Sequence, residues 1–141
     1  MLIFTLGNCG YEPIYLKKGD TNIVIQNIQT EGNKKINRKI ISSLNLKEQN
    51  KNGGYKLIIN SNKILETVSK DKAKNATVYK TKITVKVSLI EVDKIYNEKI
   101  FSEDFTYNNT ENKSNLSQYQ NDIEINLINK IIEDIFIFLN I

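Results

Sequence analysis

Tyr79, Thr81, Ile83, Val85, Val87 and Leu89 alternate without a break with Lys80, Lys82, Thr84, Lys86 and Ser88. A period of two suits a β-strand, where successive side chains leave opposite sides of the sheet, and suits no helix. One side of this strand must meet a core and the other must meet water, so the chain is restricted to sheets with a single covered face. The segment Tyr96 to Tyr107 repeats the pattern, with Phe101, Phe105 and Tyr107 on odd positions and Glu98, Ser102, Asp104 and Thr106 on even ones. Pairing the two segments must set odd beside odd, because a slip of one residue would turn every side chain to the wrong face. An odd-numbered connection follows, most simply Asp93-Lys94-Ile95. This register brings Glu98 and Asp104 to the lysine row Lys80, Lys82 and Lys86, where each cross-strand pair contributes about 0.2 to 1 kcal/mol. Tyr79, Phe101, Phe105 and Tyr107 are expected in the core, each burying roughly 150 to 250 Å².

Upstream, Asn22 to Ile28 is short and β-branched and predicts a first strand. Thr30-Glu31-Gly32-Asn33 offers capping chemistry ahead of Ile36, Ile40, Ile41 and Leu44, which fall on one helical stripe, so a helix is expected over roughly Asn33 to Leu46. Gly53-Gly54 ends the polar run that follows, and a second strand begins at Tyr55. Its apolar phase moves at Ile58-Ile59 and at Ile64-Leu65, which predicts a bulge or a poorly paired extension. Lys70-Asp71-Lys72-Ala73-Lys74-Asn75 reads as a charged hairpin connection, and Tyr107 to Ser117 as a polar loop containing Lys113. Ile123, Leu127, Ile131 and Ile135, widened by Ile128, Ile132, Phe136 and Leu139, then define a long terminal helix. The order is β-α-β-β-β-α. Both helices should cover the apolar odd face, giving an α+β two-layer sandwich with a four-stranded, largely antiparallel or mixed sheet in one domain, residues 22–141.

Residue types narrow the chemistry further. The 141-residue chain holds no histidine and one cysteine, so a His-based triad, an imidazole metal site, an internal disulfide and a cysteine-built zinc site are all excluded. Carboxylates such as Glu103, Asp104 and Glu111 stand without a nucleophile or metal constellation, so no enzyme and no cofactor is expected. The net charge of +4 suits an anionic partner. No run approaches the ~18 consecutive apolar residues of a membrane-spanning helix.

The lone cysteine, Cys9, closes the apolar run Leu2-Ile3-Phe4-Thr5-Leu6-Gly7 and precedes Gly10-Tyr11-Glu12-Pro13-Ile14-Tyr15. Its two readings are lipid attachment and a small buried thiol. Under the first, residues 1–8 are a remnant of a lipoprotein signal segment and residues 9–21 a lipidated tether. Asn8 stands where such signals usually carry a small residue, and the run before it is shorter than the ~15 residues of an ordinary secretory signal.

Cysteine followed by Gly-Tyr-Glu-Pro-Ile-Tyr, then strand, helix, three strands and a long helix, resembles the LPS-assembly lipoprotein family LptE in its shorter, alphaproteobacterial form. The resemblance implies a protein lipidated at Cys9 and held at the periplasmic face of the outer membrane. It implies an LptD-like β-barrel as partner, which the lipoprotein plugs and helps to assemble, and assistance to lipopolysaccharide on its way to the outer leaflet. It also implies that basic residues at strand ends and loops bind lipopolysaccharide, here Lys70, Lys72 and Lys74 in the hairpin and Lys113 before the last helix. Two alternatives stay open: a lipoprotein subunit of a different envelope assembly, and a small basic nucleic-acid-binding α+β domain. Against the second, the aromatics share the core face and leave no exposed stacking platform, so no nucleic acid is expected.

Overall fold

The computed structural model describes residues 23–140. Strand β1 (Ile25–Gly32), helix α1 (Lys34–Ser43), strands β2 (Tyr55–Lys70), β3 (Ala76–Glu91) and β4 (Lys94–Asn108), and helix α2 (Lys113–Leu139) follow in that order. The four strands form one sheet, ordered β1-β2-β3-β4, with β1 and β2 parallel and the other pairs antiparallel. The fold is the α+β sandwich that the alternation demands. Cys9 and the other residues assigned to the signal remnant and tether lie outside the described residues.

The odd face holds the core. Leu57, Ile59, Ile83, Val85, Val87, Leu89 and Phe101 are buried beneath Ile36 and Ile40 of α1 and Leu127, Ile128, Ile131 and Ile135 of α2. Asn33 caps α1, its Oδ1 accepting from Ile36 N at 3.1 Å. At the junction between β1 and α1, Gly32 adopts φ +83° and passes directly over the Ser61 carbonyl, which accepts from Asn33 N at 3.0 Å. Ser61 is itself buried, and its Oγ donates to Asn37 Oδ1 at 2.6 Å while Asn37 Nδ2 donates to the Glu31 carbonyl at 2.8 Å. Side-chain amides and a hydroxyl thus satisfy the backbone where β1 stops and α1 departs.

Three expectations are corrected. First, β2 carries no bulge at Ile58-Ile59 or Ile64-Leu65; it pairs in constant register with β3 from Lys56 to Thr67, and its irregularities come only at Thr67 to Lys70. Ile58 and Ile64 sit on the even face. Beyond Ser61, however, β2 has lost β1 as a partner, so its second half is an edge. Second, the turn between β3 and β4 is not Asp93-Lys94-Ile95. Glu91 pairs with Lys94 and Ile90 with Ile95, closing a two-residue turn at Val92-Asp93, and a shift after Leu89 then restores odd beside odd from Leu89/Asn97 to Tyr79/Tyr107. The parity is the one the apolar pattern requires, but a bulge at Tyr96 supplies the odd residue. Third, Phe105 is not core: it is 46% exposed.

The Val92-Asp93 turn holds φ +50° and +62°, the left-handed geometry that tight hairpins need and that Asn-Gly meets without strain. A β-branched residue there is costly. Val92→Asn with Asp93→Gly is expected to stabilise the fold by roughly 1 kcal/mol, read as a higher urea midpoint with an unchanged m-value.

Candidate functional surfaces

Strand direction sorts the loops into two ends of the sheet. At the first end lie the β2–β3 hairpin, the β4–α2 loop and the start of α2. At the second lie the start of β1, the β3–β4 hairpin and the end of α2.

The first end collects all four lysines expected to bind ligand. In the hairpin, Asp71 Oδ1 accepts from Ala73 N and Asn75 N, both at 2.9 Å, and Asp71 Oδ2 lies 3.4 Å from Asn75 Nδ2. The only acid in the hairpin is thereby turned inward on its own backbone. Lys70, Lys72 and Lys74 have no ion-pair partner among the described residues. Lys113, expected in a loop, is the first residue of α2, whose cap Asn112 accepts from Ser114 N at 3.1 Å and Asn115 N at 3.3 Å. Asn109 ties that loop to the hairpin end of β3, donating from N to Thr77 O and from Nδ2 to Ala76 O, each at 2.8 Å. Residues 39 or more positions apart in sequence therefore share one end. No acidic residue occupies the first turn of α2, so its partial positive charge adds to the lysines. Ile64, Leu65 and Val68, on the β2 segment that neither β1 nor α1 covers, are 41 to 55% exposed beside this end.

Of the lysine row on the even face, only Lys86 makes an ion pair with the expected partners Glu98 and Asp104 among the described residues. Lys86 Nζ lies 3.3 Å from Glu98 Oε1, and Ser88 Oγ donates to Glu98 Oε2 at 2.7 Å. The Ser88 hydrogen bond, with Lys86 behind it and against some burial, holds the Glu98 carboxyl below its usual range. Lys82 stands opposite Asp104 in the ladder.

Between α2 and the sheet, one buried acid organises the helix side. Glu124 is 5% exposed; Lys63 Nζ of β2 donates to its Oε2 at 2.8 Å, and Lys35 Nζ of α1 lies 3.3 Å from its Oε1 without the alignment of a hydrogen bond. Burial pushes this carboxyl up, but the two ammonium groups outweigh it and leave the pKa below the ordinary value. Next to it Gln120 Nε2 donates to Tyr107 Oη at 2.9 Å, and Tyr107 Oη lies 3.1 Å from Thr81 Oγ1. Sequence reasoning missed Glu124; its place on the apolar stripe, one residue after Ile123, was the available signal.

Along the other edge, a groove of about 590 Å³ runs between β4 and α2, lined by Phe105, Tyr119, Ile123, Leu127, Asn126 and Lys130 among others. No described strand covers β4's outer side. Because Asn109 N reaches Thr77 O, odd residues of β4 bond to β3, and Glu98, Ile100, Ser102, Asp104 and Thr106 turn their N–H and C=O groups to this open edge.

The even face is not uniformly polar. Toward the second end it carries Ile58, Ile90, Ile95 and Ile100, with Ile95 and Ile100 63% and 61% exposed. Val92 at the hairpin tip is 88% exposed and Tyr96 61%. The Tyr96 ring packs on Tyr55 at 5.1 Å, and burial first, then the nearby Glu91 charge, raises the Tyr55 phenol's pKa.

Among the described residues no grouping of Cys, Asp or Glu is suited to hold a metal, and no helix is long and apolar enough to cross a membrane. No protein-family model matches the chain, and no curated protein matches it. Solved structures do. A minor lipoprotein from Acinetobacter baumannii superposes with a TM-score of 0.62 at 13% identity, over 84% of this chain and 92% of that one. The chain shares the fold of that lipoprotein. Rare lipoprotein B from Shewanella oneidensis matches with a TM-score of 0.51 at 14% identity, over 77% of this chain and 86% of its own. Lipoprotein B from Nitrosomonas europaea gives 0.58 at 8%, over 84% and 83%. At these identities the likeness concerns architecture alone.

Proposed function

We propose that this protein is a lipoprotein of the bacterial outer membrane, anchored through Cys9 on the periplasmic side, which seats against an LptD-like β-barrel and assists lipopolysaccharide toward the outer leaflet. The observation that carries the reading is the first end of the sheet. Lys70, Lys72, Lys74 and Lys113 converge there without carboxylate partners among the described residues, beside exposed Ile64, Leu65 and Val68. A ligand with phosphates on an acylated sugar has the matching chemistry, charge for the lysines and hydrocarbon for the apolar flank. A lysine held near an anionic lipid surface contributes about 1 kcal/mol. Shared architecture with solved lipoproteins supports the anchor, and the absence of histidine agrees with a role in binding and transfer without bond chemistry.

The test reverses the charge of the hairpin. Lys70→Glu, Lys72→Glu and Lys74→Glu together are expected to weaken lipopolysaccharide binding at least about tenfold, with the circular dichroism unchanged because all three side chains are exposed. Unaltered binding by the triple variant would remove the ligand assignment. Copurification from native membranes is expected to recover a β-barrel, and recovery of another partner would redirect the function.

A further inference from the structure

We propose that the β3–β4 hairpin tip, Val92 with Ile95 and Tyr96, is a bilayer contact that inserts into the headgroup region of the membrane carrying the anchor. The proposal rests on the anchored reading above and names the surface that meets the lipid.

Four observations lead there. The tip is the most exposed apolar site of the described chain, Val92 at 88%, Ile95 at 63% and Tyr96 at 61%. Its exposure comes with strain, since Val92 holds φ +50° in a turn that Asn or Gly would fill without cost. Strain combined with apolar exposure points to a task other than folding.

The tip also lies where the chain enters the fold. Tyr96 packs on Tyr55, Tyr55 pairs with Ile25, and Tyr55 N donates to Val24 O at 2.8 Å. Cys9 precedes Ile23 by fourteen residues, which span at most about 50 Å when fully extended. The lysine-bearing end lies a strand of 16 residues away, itself roughly 50 Å. Of the two ends, the hairpin tip is the one beside the point where the tether enters the fold, whereas the other lies a full tether length away.

The charge pattern selects the lipid. Glu91, Asp93 and Lys94 flank the tip, so it offers no net positive charge and suits a zwitterionic surface, whereas the far end would suit an anionic one. From the Ile90–Ile95 pair to Val92 the hairpin projects about two residues, roughly 7 Å, which fits the ~5 to 10 Å insertion of interfacial elements. Behind it Ile58 and Ile90 continue the apolar surface, and the Tyr96 ring suits the headgroup level.

The chain has no tryptophan and a single thiol, which makes the test direct. Full-length Tyr96→Trp is coupled through Cys9 to a maleimide phospholipid in phosphatidylcholine vesicles. Its emission is expected to shift to the blue and to be quenched by bromines placed high on the acyl chains. Ile95→Trp provides a second reporter, and Thr110→Trp, at the opposite end, should emit as in water. Adding Val92→Asp to the Tyr96→Trp chain should return its emission to the position seen in solution. The proposal is overturned if the Tyr96→Trp and Ile95→Trp reporters on coupled vesicles emit as in solution and stay open to iodide. A blue shift that depends on protein concentration without vesicles overturns it in favour of a contact between copies. Mass spectrometry of the native protein separates the two readings: unmodified Cys9 removes the natural anchor, while the coupled vesicles still decide whether the tip enters lipid.

Discussion

Replacing Gly32 with alanine should cost the fold about 3 to 4 kcal/mol, the largest loss expected from alanine at any of the described glycines. Two effects act together. Gly32 sits at φ +83°, where an L side chain is strained, and a Cβ there would lie 1.9 Å from the Ser61 carbonyl oxygen. The obstacle is backbone, so no rotamer change relieves it. Ser61 cannot retreat either, because its carbonyl accepts from Asn33 N and its hydroxyl donates to Asn37, whose amide in turn holds the Glu31 carbonyl. Relief would require β1 and β2 to separate at the point where α1 is capped. Urea unfolding is the measurement. A loss under about 1 kcal/mol would show that the junction can rearrange and that the Ser61–Asn37 network is not what fixes it. A comparison variant, Gly53→Ala, shares the left-handed φ, at +86°, but meets nothing within 4 Å; it should lose only the conformational part, about 1 kcal/mol.

The second large effect belongs to Glu124. Glu124→Ala removes a buried carboxylate that joins α2 to β2 through Lys63 and to α1 through Lys35, and it leaves a cavity behind. Breaking a fully buried pair costs about 3 to 5 kcal/mol, but Lys35 and Lys63 are 63% and 38% exposed and can turn to solvent, which brings the expected loss to about 2 kcal/mol. The pH dependence follows from the direction of the shift. The folded carboxyl has a pKa below its ordinary 4.5, so as the pH falls the unfolded chain takes up the proton first. Its contribution is complete above that ordinary value and is lost as the pH drops through the folded pKa. Glu124→Gln keeps the shape and removes the acid-sensitive part, so its stability should fall less steeply than that of the parent chain between neutral and acid pH. Parallel curves would mean that other carboxylates carry the acid response.

How much of this was legible in sequence depends on what covers each strand. Tyr79 to Leu89 was readable because β3 is central, with helices on one side and water on the other, so burial and parity coincide. Phe105 obeys the same parity and is nevertheless half open, because β4 is an edge and α2 leaves a groove over that stretch. Leu65, on the same face, is also open, because β1 ends opposite Ser61 and the second half of β2 is an edge. Parity reports the side of a sheet; it does not report what lies over it. The Val92-Asp93 turn was hidden for a local reason, as neither residue carries the chemistry its backbone angles favour. Of the residues proposed to bind ligand, the hairpin lysines were legible as a cluster. Their union with Lys113 needed the antiparallel return of β4 and the Asn109 hydrogen bonds, which no sequence spacing expresses.

The unbroken length of β2 and β3 has a consequence of its own. Each runs 16 residues, and their shared ladder is irregular only at the hairpin end, so the pair behaves as a stiff spacer of roughly 50 Å. On the proposed anchoring, with one end of that spacer at the lipid and the other carrying lysines without ion-pair partners among the described residues, the number of residues per strand becomes a ruler. On the same proposal it sets how far from the anchoring leaflet a ligand's phosphates would be held. Lengthening both strands by two residues keeps every side chain on its face and moves that height by about 7 Å, whereas lengthening by one would turn the sheet inside out.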